Sequence, residues 1–250
     1  MAGGAGVAGR SVTSRALAVL GAFDSGHRRL TLSGLAARAG LPLTTTHRLV
    51  KELVDWGALA RRDDGTYVVG SRLWDLGLLA TVHVELRQVA SPFLQDLYAA
   101  TRDTVHLAVR DGQQALYVDR LSGQTSVPVV STVGSRLPLH TTGVGKVLLA
   151  YAPEAIVTDV MGHLTRATRH SIIQPGPLAR ELSEVRRRGY ARTAEEMSLG
   201  TVSVAVPIRD HDDRVVAALG IVAPSSRRDL IRVVPALLVA ASGISRHLAT

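Results

Sequence analysis

Residues 31–56, TLSGLAARAGLPLTTTHRLVKELVDW, predict two short helices joined by a tight turn. The first helix is expected to begin at Ser33, a residue type that caps helix N-termini, and to end at Gly40, which adopts the left-handed conformation at low cost. Pro42 prevents this helix from continuing. Its buried face would consist of Leu35, Ala36 and Ala39. The arrangement is a helix-turn-helix.

The second helix is amphipathic. Its apolar stripe, at the spacings i, i+3, i+4, i+7 and i+8, comprises Thr46, Leu49, Val50, Leu53 and Val54. The opposite face is polar and carries Thr44, Thr45, His47, Arg48 and Lys51. Such a face suits a helix in the DNA major groove, because arginine reaches a guanine edge while hydroxyls and lysine contact phosphates. The alternative is a face that is only solvated.

A β-hairpin is predicted directly after Gly57, which ends the second helix. Residues 58–62 and 66–69 are strand-like, and Asp64-Gly65 between them is a strong hairpin signal. The hairpin would be a basic wing that contacts a neighbouring minor groove or its phosphates. The candidate DNA contacts are Ser33, Thr44, Thr45, Thr46, His47, Arg48, Lys51, Arg61 and Arg62.

Helical patterns flank this motif on both sides. Residues 11–23 predict a third helix of the winged core, with an apolar face of Val12, Ala16, Leu17, Val19, Leu20 and Phe23. Residues 28–32 could add a small strand beside the wing. Residues 71–90 predict a linker helix with more apolar surface than a short connector can bury, carried by Leu73, Trp74, Leu76, Leu78 and Leu79. Either the chain's own second domain or a second subunit would cover this surface.

Composition indicates an ordinary globular chain. Its 250 residues are enough for two domains, and the absence of cysteine excludes disulfides, thiolate nucleophiles and cysteine-ligated metals. Residues 1–10 lack the apolar core of a signal peptide and are interpreted as a disordered tail, and no run approaches the ~20 apolar residues of a membrane span. A cytoplasmic protein is expected.

Positive charge is concentrated around the helix-turn-helix. The net charge is +8, and residues 1–72 hold 10 Lys and Arg against 5 Asp and Glu, whereas residues 73–250 hold 19 against 16. The N-terminal excess of +5 therefore exceeds the excess of +3 in the longer remainder. This distribution supplies the electrostatic attraction that DNA binding requires.

The remainder of the chain predicts an α+β domain on an antiparallel sheet. Strands are expected at 105–109, 115–118, 127–132, 202–208 and 215–222, and helices at 93–102, 143–151, 178–188 and 228–248. Strands bracketed by helices, without regular alternation, are typical of this class. The sequence contains no internal repeat.

The sequence does not indicate a catalytic or metal-binding motif. The run Gly143-Val144-Gly145-Lys146 is not a phosphate loop, because His140 and Val147 stand where that motif needs glycine and serine or threonine. His163 and His170 lack metal-ligand spacing, and Glu195-Glu196 is interpreted as a solvated turn or a partner of Arg186, Arg187 or Arg188. No cofactor, metal site or catalytic activity is expected.

Several stretches, taken in order, resemble the IclR family of bacterial transcription regulators from about Ser11 to about Ala249. They are SVTSRALAVLGAF, LAARAGLPLTTTHRLVKELVDWGAL, YVVGSRLWDLG, GSRLPLHTTGVGKVLLA and ELSEVRRRGYARTAEEMSLGTVSVAVPI. The resemblance implies a winged helix-turn-helix domain at 11–70, a linker helix at 71–90 and a GAF-like effector-binding domain at 91–250. It also implies a homodimer or tetramer, an operator in double-stranded DNA and a small organic or aromatic acid as effector.

The resemblance also implies which residues line the effector pocket: Leu137, Gly143, Val144, Thr193, Thr201, Ser203, Gly220 and Val222. In members that bind small keto acids, an acidic residue corresponds to Thr193 and a cysteine corresponds to Ser203. Two serines in those members correspond to Gly220 and Val222. The loss of these polar groups favours a larger or more apolar ligand, and Gly220 is expected to leave volume that a serine would fill.

The sequence thus predicts a sequence-specific, effector-controlled DNA-binding regulator, with repression favoured over activation. A sequence-independent architectural DNA-binding protein is one alternative, and an enzyme carrying a DNA-binding module is another. A specificity ratio between operator and random duplex separates the regulator from the architectural protein.

Overall fold

The computed structural model of the chain describes residues 11–24, 26–79, 83–124, 126–227 and 229–248. The chain divides into two compact units, Met1–Val82 and His83–Thr250. The tail predicted at 1–10 lies outside the described residues.

The N-terminal unit is a three-helix core with a small hairpin. Its elements are α1 (Val12–Leu20), α2 (Leu32–Ala39), α3 (Leu43–Asp55), β1 (Leu59–Arg61), β2 (Tyr67–Val69) and α4 (Ser71–Leu78). The side chains of Val19, Leu35 and Leu49 meet in one buried cluster. The expected apolar face of α1 is confirmed at Val19, which is fully buried, and is wrong at Val12 and Leu17, which are exposed.

Helix α2 begins two residues earlier than predicted. Thr31, not Ser33, is the N-cap, and its Oγ1 accepts a hydrogen bond from the amide of Gly34 at 3.1 Å. At the other end Gly40 has a φ of 64°, which confirms the left-handed C-terminus. Both residues near the start are good cap types, so sequence alone did not separate them.

The two candidate caps can be distinguished by stability. Thr31→Ala is expected to lower the free energy of unfolding by about 1 kcal/mol, because the Gly34 amide loses its acceptor. Ser33→Ala is the matched control and should have a smaller effect, since Ser33 is exposed within the helix. Urea unfolding of both variants measures the difference, and a larger loss for Ser33→Ala would contradict the assignment.

The predicted wing is present as an antiparallel pair of strands, with Leu59 opposite Val69. At its tip the Asp64 carboxylate accepts from the amide of Thr66 at 2.9 Å, and Gly65 has a φ of 79°. Leu30 and Tyr67 exchange backbone hydrogen bonds of 3.1 and 2.8 Å, so the segment before α2 joins the wing by a bridge.

The linker is not one helix. α4 ends at Leu78, and the next helix, α5 (Val84–Thr101), runs through Pro92 without interruption. The prediction of separate helices at 71–90 and 93–102 is therefore wrong. α5 continues past the missing proline N–H because Ala90 and Leu94, on either side of it, are fully buried in the core of the C-terminal unit.

The C-terminal unit is built on one antiparallel sheet of six strands in the order β5-β4-β3-β8-β7-β6. After α5 come β3 (Thr104–Asp111), β4 (Gln114–Leu121), β5 (Arg136–Pro138), α6 (Gly143–Ala150), α7 (Glu154–Gly162), α8 (Pro175–Arg188), β6 (Ala191–Ala194), β7 (Thr201–Arg209) and β8 (Val215–Pro224). A 3₁₀ turn (Leu230–Val233) and α9 (Val234–Leu248) complete it. The α+β class is as predicted.

Alternate strand residues face two helical layers. Leu107 of β3 and Leu219 of β8 pack in the cluster shared with α5 and α9. Ala108 and Ala218, their neighbours along the same strands, face the opposite cluster, which contains α6 and α8. Small residues on this second face let α6 lie close to the sheet.

Two predicted elements of this unit differ from the structure, and two observed elements were not predicted. Residues 127–132 are irregular rather than a strand, and the strand at this edge is β5. α7 and β6 had no sequence prediction. The final helix was expected from Arg228, which lies outside the described residues, and α9 starts at Val234.

Among the described residues, Leu230–Leu248 is the one helical stretch whose length and composition would allow it to cross a membrane. Its Leu237, Ala241 and Ile244 side chains are buried in the cluster with α5 and β7. This stretch therefore has the packing of a core helix in a folded domain.

Candidate functional site

Helix α3 presents a cationic face. Thr44, His47, Arg48 and Lys51 are exposed, and Thr45 is half-buried. Within the described ranges, neither Arg48 nor Lys51 makes a hydrogen bond or an ion pair with another side chain. Both cations are thus available to a ligand outside the unit.

Thr46 must be removed from the candidate DNA contacts. Its side chain is fully buried, and its Oγ1 donates to the carbonyl of Pro42 at 3.0 Å. The residue belongs to the apolar stripe that anchors α3 in the core, so the double assignment made from sequence is wrong at this position.

The wing lies beside α3. A shallow groove is lined by His47 and Lys51 of α3 together with Arg61 of β1. Arg61 and Arg62 are exposed, while Asp63 and Asp64 occupy the tip. α3 and the wing therefore form one continuous basic surface, and Ser33 is exposed near the start of α2. The roles of these residues in DNA binding stay predictions.

A cavity of about 490 Å³, including its open mouth, lies in the C-terminal unit. It is lined by all eight residues that the sequence nominated for the effector pocket: Leu137, Gly143, Val144, Thr193, Thr201, Ser203, Gly220 and Val222. The fold thus assembles the set from β5, α6, β6, β7 and β8, and its role in effector binding stays a prediction.

The N-terminus of α6 forms one end of the cavity. Thr142 caps the helix by accepting from the amide of Gly145 at 3.1 Å, and the Gly143 and Val144 amides donate to no described residue. A side chain at position 143 would lie 2.6 Å from Ser203 Oγ, so glycine is required there for the helix to approach β7. The positive end of the helix dipole favours an anion at this point.

Thr193 and Ser203 form a hydroxyl pair beside this helix. Their residues are opposite each other on β6 and β7, and their oxygens lie 2.6 Å apart. The Thr201 hydroxyl donates to the carbonyl of Ser198 at 2.7 Å, which ties the strand to the preceding loop. These hydroxyls offer hydrogen bonds without adding charge.

Gly220 does not have the role expected from sequence. A Cβ there would meet Val144 Cγ1 at 2.9 Å and the carbonyl oxygen of Val204 at 3.2 Å. The space is taken by packing of α6 on the sheet and is not spare ligand volume. A large residue at position 220 would therefore disturb the fold as well as the cavity.

Sequence reasoning missed the opposite end of the cavity. His106 of β3, Tyr117 of β4 and Ser131 line it, and Val129 and Val130 add apolar wall. His106 Nε2 lies 2.8 Å from Ser131 Oγ, and the His106 and Tyr117 rings meet edge to face at 5.0 Å. The only available signal was a histidine inside a buried strand, and segment 129–131 was mistaken for a strand.

Burial sets the protonation of these rings. Burial, followed by the nearby charge of Arg120, lowers the pKa of His106 to about 3. Burial also raises the pKa of the Tyr117 phenol. Both side chains are therefore neutral near pH 7, and the cavity lining contains no carboxylate, ammonium or guanidinium group.

A buried ion pair lies next to the cavity. Lys146 Nζ of α6 donates to Glu196 Oε1 at 2.6 Å, and their side chains are 1% and 9% exposed. Burial raises the pKa of Glu196, and the Lys146 charge offsets part of that rise. The expectation that Glu196 is solvated or pairs with Arg186, Arg187 or Arg188 is wrong. The pair ties the loop that carries Met197 and Ser198, both lining residues, to α6.

The other nominated polar residues are separated. His163 contacts Asp159, whereas His170 lies 3.3 Å from Glu195. In the described ranges, one acidic and histidine group could gather three ligand atoms, namely Asp210, His211 and Asp212. The Asp210 carboxylate there already accepts from two backbone amides of its own turn, at 2.9 Å each. The arrangement of groups around the cavity is suited to binding rather than to proton transfer or nucleophilic attack.

Two family descriptions match the chain. "IclR helix-turn-helix domain" matches residues 12–63, and "Bacterial transcriptional regulator IclR C-terminal" matches residues 78–246. Among curated relatives, the HTH-type transcriptional regulator XynR of Escherichia coli is 32% identical over 218 residues, covering 86% of each chain. The HTH-type transcriptional repressor AllR of the same species is 30% identical and covers 88% of this chain and 82% of its own.

Solved structures of IclR proteins are also similar to this chain. An IclR homologue from Microbacterium hydrocarbonoxydans, complexed with 4-hydroxybenzoate, has a TM-score of 0.89 at 34% identity and covers 95% of this chain and 99% of its own. IclR of Thermotoga maritima has a TM-score of 0.77 at 29% identity, with 95% and 98% covered. The curated relatives named here are regulators rather than enzymes, as expected from the sequence. With its DNA-binding helix-turn-helix and its C-terminal ligand-binding domain, the chain belongs to the IclR family of bacterial transcription regulators.

Proposed function

We propose that this protein is a cytoplasmic repressor whose affinity for its operator is controlled by an organic acid bound in the C-terminal cavity. The observation that supports this most directly is the cavity itself, which has free helix amides at one end and no charged side chain in its lining. A relative named as a repressor, AllR, supports the sign of regulation. Activation is the alternative sign.

The proposed effector is a singly anionic molecule with a sizeable apolar part. Its carboxylate would lie at the α6 N-terminus, where the Gly143 and Val144 amides are free, and the Thr193–Ser203 pair would complete the hydrogen bonds. Leu137, Val144 and Val222 supply apolar contacts. The 4-hydroxybenzoate bound by the Microbacterium homologue belongs to this chemical class.

The proposed DNA-binding form is a homodimer or tetramer. Trp74 and Leu76 on α4 are 69% and 47% exposed, and Leu79 just after the helix is also exposed. Large apolar side chains this exposed favour a protein partner. A second copy of α4 would cover them and would present two α3 helices to a palindromic operator.

The basic surface of α3 gives a prediction about sequence readout. Arg48→Ala is expected to cost about 1–3 kcal/mol of operator binding and to relax the preference at one base position, whereas Lys51→Ala should weaken all duplexes alike. Binding to a selected operator and to random DNA at several salt concentrations separates the two effects. An unchanged specificity ratio for Arg48→Ala would contradict the proposed docking of α3.

A variant that fills the cavity tests effector control. Leu137→Trp adds volume at the half-buried edge strand β5 and is expected to abolish the effector response while operator binding stays at its ligand-free level. The control is Val133→Trp, because Val133 is exposed and does not line the cavity. The measurement is a duplex titration with and without 4-hydroxybenzoate. A normal response in Leu137→Trp would contradict the proposed binding site.

An architectural DNA-binding protein remains the alternative of another class. Its binding would show a salt dependence but no preference for one duplex, because phosphate contacts carry no sequence information. The measured ratio between selected and random duplex decides between the two, and a ratio near one would refute the regulator.

A further inference from the structure

The cavity has a second polar group of residues, His106 and Ser131, apart from the Thr193–Ser203 pair. His106 stands on β3 and Ser203 on β7, with β8 between them. Two strand spacings separate those strands by about 9–10 Å. Val222 of β8 and the Val144 side chain, which packs over Gly220, form apolar wall between the two polar groups. A ligand with its carboxylate at α6 would extend along Val144 and Val222 toward His106.

The groups at this second end are polar and uncharged. His106 and Ser131 are 2% exposed each, and they are hydrogen-bonded to one another at 2.8 Å. The Tyr117 ring closes the side of this end. Since His106 has a strongly lowered pKa, it offers a neutral ring rather than a cation.

Among the residues that the structure describes, Arg120 is the only arginine in contact with Ser131 or His106, and it lies outside the cavity lining. Arg120 is opposite His106 on β4, and its Nη1 donates to the Ser131 carbonyl at 2.8 Å. Arg120 does not line the cavity. Arg120 therefore makes no direct contact with a ligand in the cavity. A second carboxylate at this end would be desolvated without a direct ionic partner.

We propose that His106 and Ser131 form a specificity site that recognises an uncharged hydroxyl at the far end of an aromatic monocarboxylate. The Ser131 hydroxyl and the neutral His106 ring can each act as hydrogen-bond donor or acceptor. A phenolic hydroxyl can therefore donate a hydrogen bond to this pair or accept one from it. This inference rests on the proposed function, because it assumes that the carboxylate lies at the α6 N-terminus. It assigns a ligand class and two residues that sequence reasoning did not nominate.

The test is calorimetric titration of the full-length protein with benzoate, 4-hydroxybenzoate and terephthalate. Wild-type protein is expected to bind 4-hydroxybenzoate about tenfold more tightly than benzoate, as one buried hydrogen bond allows, and to bind terephthalate more weakly than either. Ser131→Ala should reduce the tenfold preference to less than about threefold, because 4-hydroxybenzoate loses more affinity than benzoate does. Thr132→Ala is the matched control, since Thr132 is exposed next to Ser131 and does not line the cavity.

The titrations distinguish failure of the specificity site from failure of the proposed carboxylate site. Equal binding of benzoate and 4-hydroxybenzoate by wild-type protein would overturn the specificity site and leave the proposed carboxylate site standing. Equal loss of both ligands in Ser131→Ala would show a structural role only, which also overturns the inference. Tighter binding of terephthalate would make this end an anion site supported by Arg120. If none of the three compounds binds, the proposed ligand class fails and the inference fails with it.

Discussion

Lys146→Met is expected to lower the free energy of unfolding by about 3–5 kcal/mol, because it leaves a buried carboxylate without its partner. Glu196 is 9% exposed, and its Oε2 already has no partner among the described residues. Without the ammonium, the carboxyl must take up a proton or draw water into the layer between α6 and the loop. Urea unfolding of the full-length protein, followed by circular dichroism, measures the loss.

A double variant separates the cost of an orphaned charge from the value of the pair. Lys146→Met combined with Glu196→Leu removes both charges and is expected to recover most of the lost stability. Glu184→Gln is the control, since it breaks the exposed pair with Arg187 and should leave stability unchanged. A double variant as unstable as Lys146→Met alone would show that packing, rather than the orphaned carboxylate, causes the loss.

Substitutions on α4 are expected to have a large effect on assembly and on operator affinity. Replacing both Trp74 and Leu76 with glutamate should convert the protein to a monomer and lower its operator affinity by about 10²-fold or more, because the two half-sites would no longer be bound together. The exposed apolar side chains motivate this substitution. Sedimentation at micromolar concentration and a duplex titration measure assembly and affinity on the same samples.

Val216→Glu provides the control for an added charge at an exposed apolar position, because Val216 lies on β8 in the other unit. It should leave assembly and operator affinity unchanged. A double α4 variant that stays a dimer with full affinity would place the interface elsewhere. A wild-type monomer with full operator affinity would refute the two-fold proposal altogether.

Local signals explain why the N-terminal unit was largely predictable. Gly40 with Pro42 marks the turn between α2 and α3, and Asp64-Gly65 marks the wing. These signals act over a few residues and do not depend on the rest of the fold. The exact cap was not predicted because Thr31 and Ser33 are both suitable cap residues, and the structure has Thr31 as the N-cap.

Errors in the C-terminal unit arose where distant residues decide the structure. α5 continues through Pro92 because the core holds it on both sides. The valine-rich stretch 127–132 has strand composition but serves as cavity wall. Lys146 and Glu196 are 50 positions apart, so their pairing had no local signal. The eight cavity residues were found through family resemblance, whereas His106 and Ser131 needed the register of β3.

Effector control requires that ligand binding in the cavity and DNA binding at α3 and the wing be coupled. The most direct test measures the affinity for a duplex selected from a random library with and without saturating 4-hydroxybenzoate, and the affinity for 4-hydroxybenzoate with and without that duplex. Linkage requires the same factor in both directions, corresponding to about 1–3 kcal/mol. We expect each ligand to weaken the other by that shared factor. Operator affinity that is unchanged while 4-hydroxybenzoate occupies the cavity would refute this coupling.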